Sequence, residues 1–174
     1  MSDLWFTADL HFGHRFMAQL RHWGSIDTMD FTLISEWNES VKPNDEVWVL
    51  GDFSFRNQAD TKAIFAQLNG HKHLVRGNHD PKWIDRLGWE SVHDFRRVKW
   101  EGQSIYCFHY PMLTWPNAQH GTWHLHGHSH GNLRAPESTR MDVGPDATGK
   151  TVINVKEIAE IMAAREYDFI DHHT

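Results

Sequence analysis

The apolar run Lys72-His73-Leu74-Val75 leads directly into Arg76-Gly77-Asn78-His79-Asp80, and Pro81 follows. The run reads as a strand, and the proline disfavours helix at Asp80. Asn78 and His79 therefore stand on a tight turn at the carboxyl end of a strand, where open α/β sheets place ligand chemistry. Alone, the turn says little, because Asn and Asp favour turns for plain backbone reasons. Its weight comes from four further pieces: Asp9-Leu10-His11, Gly51-Asp52, His109-Tyr110-Pro111 and Gly127-His128-Ser129-His130.

The first half alternates strand and helix. Residues 4–8 form a strand ending at Asp9, and extended chain would point Asp9 and His11 to the same side. Residues 12–15 are expected as a loop. Residues 30–42 read as a helix capped by Asp30, with Phe31, Ile34, Trp37 and Val41 three or four apart. Residues 46–50 are a second strand, 60–68 a helix capped by Asp60, and 71–76 a third strand. In the second half, 92–100, 103–109 and 121–126 read as short strands, expected to be mostly antiparallel. Two more strands at 140–143 and 151–155 and a helix at 156–165 complete the pattern, with 171–174 a loose tail. Without repeats or linkers, one domain over residues 1–174 is expected. Its class is α/β, a four-layer α-β-β-α sandwich of two mixed sheets packed face to face with helices outside.

The formal charge of -6 argues against a surface that coats nucleic acid. It leaves room for a small phosphate ester, since bound metal would supply local positive charge. The lone Cys107 cannot form an internal disulfide and sits in an apolar run, so inert packing is expected. No stretch approaches membrane-spanning length and no leader is visible, so a cytoplasmic protein is expected.

The 15 histidines are the compositional oddity. Asp9, His11, Asp52, Asn78, His109, His128 and His130 arrive on five separate strand ends or loops. Seven mixed oxygen and nitrogen donors exceed the needs of one ion and suit two ions sharing a carboxylate. Without cysteine, the set points to Mn, Fe, Ni, Co or Zn, with Mn favoured. His14, Arg15 and Arg56 are candidates for contact with substrate phosphate. His22, His120, His124 and His126 read as surface or loop residues. Asp80 reads as fixing the turn. Trp115 and Trp123 either wall a pocket and stack on a base or pack in the core.

The five blocks, in this order and spanning residues 9 to 130 of 174, resemble the calcineurin-like metallophosphoesterase superfamily, especially its small bacterial and phage members. The resemblance implies that Asp9, His11 and His130 hold one metal, that Asn78, His109 and His128 hold the other, and that Asp52 bridges them. It implies that water activated between the ions attacks phosphorus while His79 protonates the leaving oxygen. The protein-phosphatase branch carries a second Asp after Gly-Asp, which orients the histidine acid; here Phe53-Ser54-Phe55-Arg56 follows instead. Small phosphodiesters or phosphomonoesters, nucleotide-like ones included, are therefore the expected substrates. A nuclease and a non-catalytic scaffold are the alternatives.

Overall fold

A computed structural model describes residues 2–133 and 138–167. Two mixed sheets form the centre. The first has five strands in the order β4-β3-β2-β1-β9. Strands β1 (Leu4–Thr7), β2 (Glu46–Val49), β3 (His71–Val75) and β4 (Ser91–His93) run parallel, and β9 (Ile153–Asn154) runs antiparallel to β1. The second sheet follows the order β5-β6-β7-β8. Here β5 (Phe95–Trp100) is antiparallel to β6 (Gln103–Phe108), while β7 (Trp123–His126) and β8 (Arg140–Asp142) continue in parallel.

Strand alternation decides which side chains go where. Val47, Val49 and Leu74 face one way, into a cluster with Met29, Leu33 and Trp37 of α2 (Ile26–Ser40) and Ile64 and Phe65 of α3 (Gln58–Gln67). Met17 and Ala18 of the short α1 (Arg15–Leu20) join that cluster. Phe6, Trp48, Leu50 and Val75 face the other way, against Ile105, Cys107 and Leu125 of the second sheet. Each fully buried large side chain there contributes about 1.5–3 kcal/mol. Val155, Ile158 and Met162 of α5 (Val155–Ala163) close this second cluster. Cys107 is buried within it, and burial pushes its thiol far up, as expected of a packing residue.

Several expectations need correction. The second half is not mostly antiparallel: only β5 pairs that way in its sheet. The stretch between β6 and β7, taken as a turn, is a crossover long enough to return the chain to the sheet's starting edge. The expected strand 92–100 is two strands in different sheets, broken at Asp94. The caps also differ. Ser25 accepts from Thr28 N–H at the start of α2, and Asn57 accepts from Asp60 N–H at the start of α3. Asp30 lies inside α2, buried, and binds Gly13 N–H and the Arg56 guanidinium. Phe31, read as a core position, is exposed; the buried stripe runs through Met29, Leu33 and Trp37. The expected loop 12–15 leads into α1, and α4 (Pro145–Thr148) was not foreseen. His124 and His126 are buried on β7 and are not surface residues. The expected tail 171–174 lies outside the described residues. Among the described residues, no helix is long and apolar enough to cross a membrane.

Candidate metal centre

Because β1, β2, β3 and β6, β7 are parallel within their sheets, the residues that follow them gather at one edge of the sandwich. The loops after β1 and β2 are tied together: Asp9 N–H donates to Gly51 O, His11 N–H to Asp52 O and Phe12 N–H to Phe53 O. Gly127 N–H donates to His109 O, joining the loops after β6 and β7. The sheets meet where His128 N–H donates to Asp9 Oδ2 at 2.8 Å. Glycine is required at two of these approaches. A Cβ on Gly127 would strike the Asp9 carboxylate, and one on Gly77 would strike that of Asp52.

The backbone at the donors is unusual. Asp9, His11, Asp52, His128 and His130 have φ of 50°, 53°, 55°, 67° and 47°. This left-handed region costs non-glycine residues about 1–2 kcal/mol each, and Asp, Asn and His enter it most readily. The extended geometry expected at Asp9 and His11 is therefore wrong. Each of these residues makes a left-handed turn that swings its side chain across the strand end.

These turns bring together two groups, Asp9–His11–His130 and Asp9–Asp52–His109, with donor atoms within 4.8 Å of one another in each. His11 Nε2 stands 3.6 Å from Asp9 Oδ1 and 3.9 Å from Asp52 Oδ2, and His109 Nε2 stands 3.6 Å from Asp52 Oδ2. His130 Nε2 lies 3.9 Å from Asp9 Oδ1. These spacings exceed a hydrogen bond and fit pairs of atoms each about 2.1 Å from a common ion. Asp9 Oδ1 and both ring nitrogens of His11 are buried without a hydrogen-bond partner. Such orphans cost roughly 1–3 kcal/mol each when nothing binds them, so the donor set fits a cation. Asn78 Oδ1 lies 2.9 Å from His109 Nε2 and 3.0 Å from His128 Nδ1, so Asn78 and His128 both stand beside the second group.

Burial pushes the Asp9 carboxyl up, but His11 beside it and the nearby His109 and His130 outweigh that and hold it below its ordinary value. His109 Nδ1 lies 2.8 Å from Leu50 O, which fixes the proton there and turns the Nε2 lone pair toward Asp52. His130 Nδ1 lies 2.7 Å from Asp146 Oδ2 and leaves Nε2 facing Asp9. The Asp146 contact raises the His130 pKa above its usual value.

A protein of Mycobacterium phage D29 described as "Gene 66 protein" is 33% identical to this chain, over 93% of the chain and 96% of its own length. A solved protein of unknown function from Aquifex aeolicus superposes with TM-score 0.72 at 21% identity, over 92% of this chain and all of the other. Yfce, a phosphoesterase from E. coli, covers 87% of this chain and 81% of its own, with TM-score 0.52 at 18% identity. An archaeal phosphodiesterase covers 84% and 88%, with TM-score 0.51 at 17% identity. No family model matches the chain. The chain belongs to one family with the Gene 66 protein of phage D29, and it shares its fold with the two phosphoesterases.

In this chain, His79 is exposed at the rim of the centre. Its backbone N–H donates to Asp52 Oδ1 at 2.9 Å, and its ring lies 6.3 Å from that of His11 and 5.1 Å from that of Phe55. Phe55 thus flanks the histidine. Asp80 fixes the turn, as expected, by accepting from the N–H groups of Asp52, Phe53 and Gly77. His14 caps α1 through Nδ1, with its ring 5.5 Å from that of His11. Burial, then the charges of His11 and His79, lowers its pKa. Arg15 is exposed at the start of α1. The Arg56 guanidinium is engaged by Asp27 and Asp30.

Sequence reasoning missed Arg21, Asp142 and Asp146. Arg21 holds Asp146 through two hydrogen bonds and donates to the carbonyls of Asp9 and Leu10. Burial pushes the Asp146 carboxyl up, but Arg21 and His130 overcome that and hold it well below the usual range. Asp142 accepts from Ser129 Oγ and from the N–H groups of Gly131 and Gly144, fixing the loop that carries His128 and His130. Nothing in the spacing of Arg21 or Asp146 marks them, because each acts through a residue far away in the chain.

Proposed function

We propose that the chain is a metal-dependent phosphoesterase acting on small phosphodiesters, with phosphomonoesters as a second class of substrate. The observation that supports this most is the pair of buried carboxylates, Asp9 and Asp52, whose ion-pair contacts are with histidines. Two such anions with unpartnered neighbours make a site for divalent cations. Asp9, His11 and His130 would hold one ion and Asn78, His109 and His128 the other, with Asp52 between them and Mn the favoured metal. Bound there, divalent ions polarise a phosphoryl oxygen and lower the pKa of water.

The remaining work falls to the chain itself. Asp52 has a second task, because its Oδ1 accepts the His79 N–H and so sets the rim turn against the centre. His79, exposed and outside the donor set, would give a ring proton to the departing ester oxygen. Leu50 O and Asp146 fix which nitrogens of His109 and His130 face inward. The test is a panel of aryl phosphodiesters, aryl phosphomonoesters and a phosphoserine peptide, assayed with Mn, Ni, Co, Zn and Mg. Turnover of bis-p-nitrophenyl phosphate that depends on an added transition metal is expected. A phosphoserine peptide outperforming every small ester would overturn the reading.

A further inference from the structure

Among the described residues, Phe55 and Tyr110 face solvent with their rings against the candidate ligands. Phe55 is 41% exposed, with its ring centre 5.2 Å from His11, 4.2 Å from His14 and 5.1 Å from His79. Tyr110 is 39% exposed, with its ring centre 4.6 Å from His128 and 5.1 Å from His109. One ring thus stands against each half of the centre. Single exposed apolar side chains are ordinary on a protein surface. Here both rings lean on donors of one polar centre while leaving much of their area to solvent. Trp115 and Trp123, the aromatics that the sequence offered for stacking, are buried; the Trp115 indole donates to Thr122 O, and Trp123 packs between the sheets.

We propose that Phe55 and Tyr110 are specificity-determining residues that select phosphodiesters with flat aromatic arms, a nucleobase being the natural case. The inference deepens the phosphodiesterase reading and rests on it. It also assigns the arms. His79 stands beside Phe55, so the leaving group that His79 protonates lies along Phe55. The retained ester arm lies along Tyr110, on the His109–His128 side. Stacking on a protein aromatic is sequence-tolerant, because every base has a π-face. Discrimination should therefore be strong between aromatic and alkyl arms and weak among the bases.

The experiment uses two diesters with the same leaving group, thymidine 5'-(p-nitrophenyl phosphate) and ethyl p-nitrophenyl phosphate, on Mn-loaded protein. Wild type should prefer the thymidine ester, mainly through KM. Tyr110→Ala should lower that preference by roughly 5- to 50-fold in kcat/KM, and Tyr110→Phe should restore it. A preference unchanged by Tyr110→Ala, or absent in wild type, overturns the inference. Phe55→Ala should raise KM for both aryl esters alike; a loss confined to kcat would mean that Phe55 only positions His79, and would overturn its part. Binding is measured separately by calorimetry with thymidine 5'-monophosphate and inorganic phosphate. Wild type should bind the nucleotide at least about 5-fold tighter, and Tyr110→Ala should erase that margin. Should neither diester be hydrolysed by metal-loaded protein, the phosphodiesterase reading fails, and the calorimetry still decides the stacking.

Discussion

The two halves of the candidate metal centre are organised differently. Around Asp9, His11 and His130 the donors stand apart, and three of their atoms have no partner. Their positions are imposed from outside, by Arg21 and Asp146 behind His130 and by the left-handed backbone at all three. Around Asn78, His109 and His128 the donors contact one another, with Asn78 Oδ1 between two rings. Asn78 and His128 are exposed there, and only His109 is fully buried. A half whose buried donor atoms have no partner gains more from an ion than one whose donors are partly open to solvent. The Asp9 half should therefore hold its ion more tightly. Stepwise titration of metal-free protein with Mn, read by calorimetry, should resolve a tight event before a weak one.

Asp52 touches both halves, so its loss should have the largest effect. Asp52→Ala is expected to lose bound metal and activity together, seen in elemental analysis beside rate. Retention of two ions by the variant would show that Asp52 does not join the halves. His79→Ala removes no candidate donor. It should keep metal near wild type and lower kcat by roughly 10²–10⁴-fold, less for p-nitrophenolate than for a poor leaving group. Equal slowing of all leaving groups would remove His79 from the role of acid.

Asp146→Asn sharpens the contrast, because it disturbs the support of His130 and of Arg21, both on the Asp9 side. The tight binding event should weaken by roughly 10–100-fold, while the weak event keeps its affinity and Asp146→Glu recovers part of the loss. Equal weakening of both would mean that the halves are not independently supported.

A smaller effect concerns the strand behind the second half. His124 is buried, and burial pushes its pKa from 6.5 down to about 3. The fold favours its neutral form, whereas the unfolded chain takes up a proton below 6.5. Stability therefore falls as pH drops from 6.5 toward 3, by about 1.4 kcal/mol per pH unit over that interval. Urea midpoints across this range should show the slope, and His124→Gln should flatten it.

Much of the architecture was legible because strand ends and polar blocks coincide in the sequence. Gly51-Asp52 and Gly77-Asn78 each follow an apolar run, and a βα rhythm sets those strands parallel. What stayed hidden depends on contacts distant in the chain. Ser25 and Asn57 cap their helices in place of Asp30 and Asp60, and Asp30 is drawn inside to bind Gly13 and Arg56. The crossover between β6 and β7 carries Pro116-Asn117, which imitates a hairpin turn. Arg21 and Asp146 meet 125 positions apart, and no local pattern announces such a pair.

The contact between Asp9 and His128 spans 119 positions and joins the two sheets. Closing so long a loop costs chain entropy that one hydrogen bond cannot offset, so the apolar cluster between the sheets must form first. Folding is then expected to precede loading, with contacts this remote in the chain setting its pace. Refolding followed by tryptophan fluorescence should run at the same rate with and without Mn, and the ion should enter only afterwards. The metal would be a passenger on a frame already built, able to slow unfolding but not to hasten assembly.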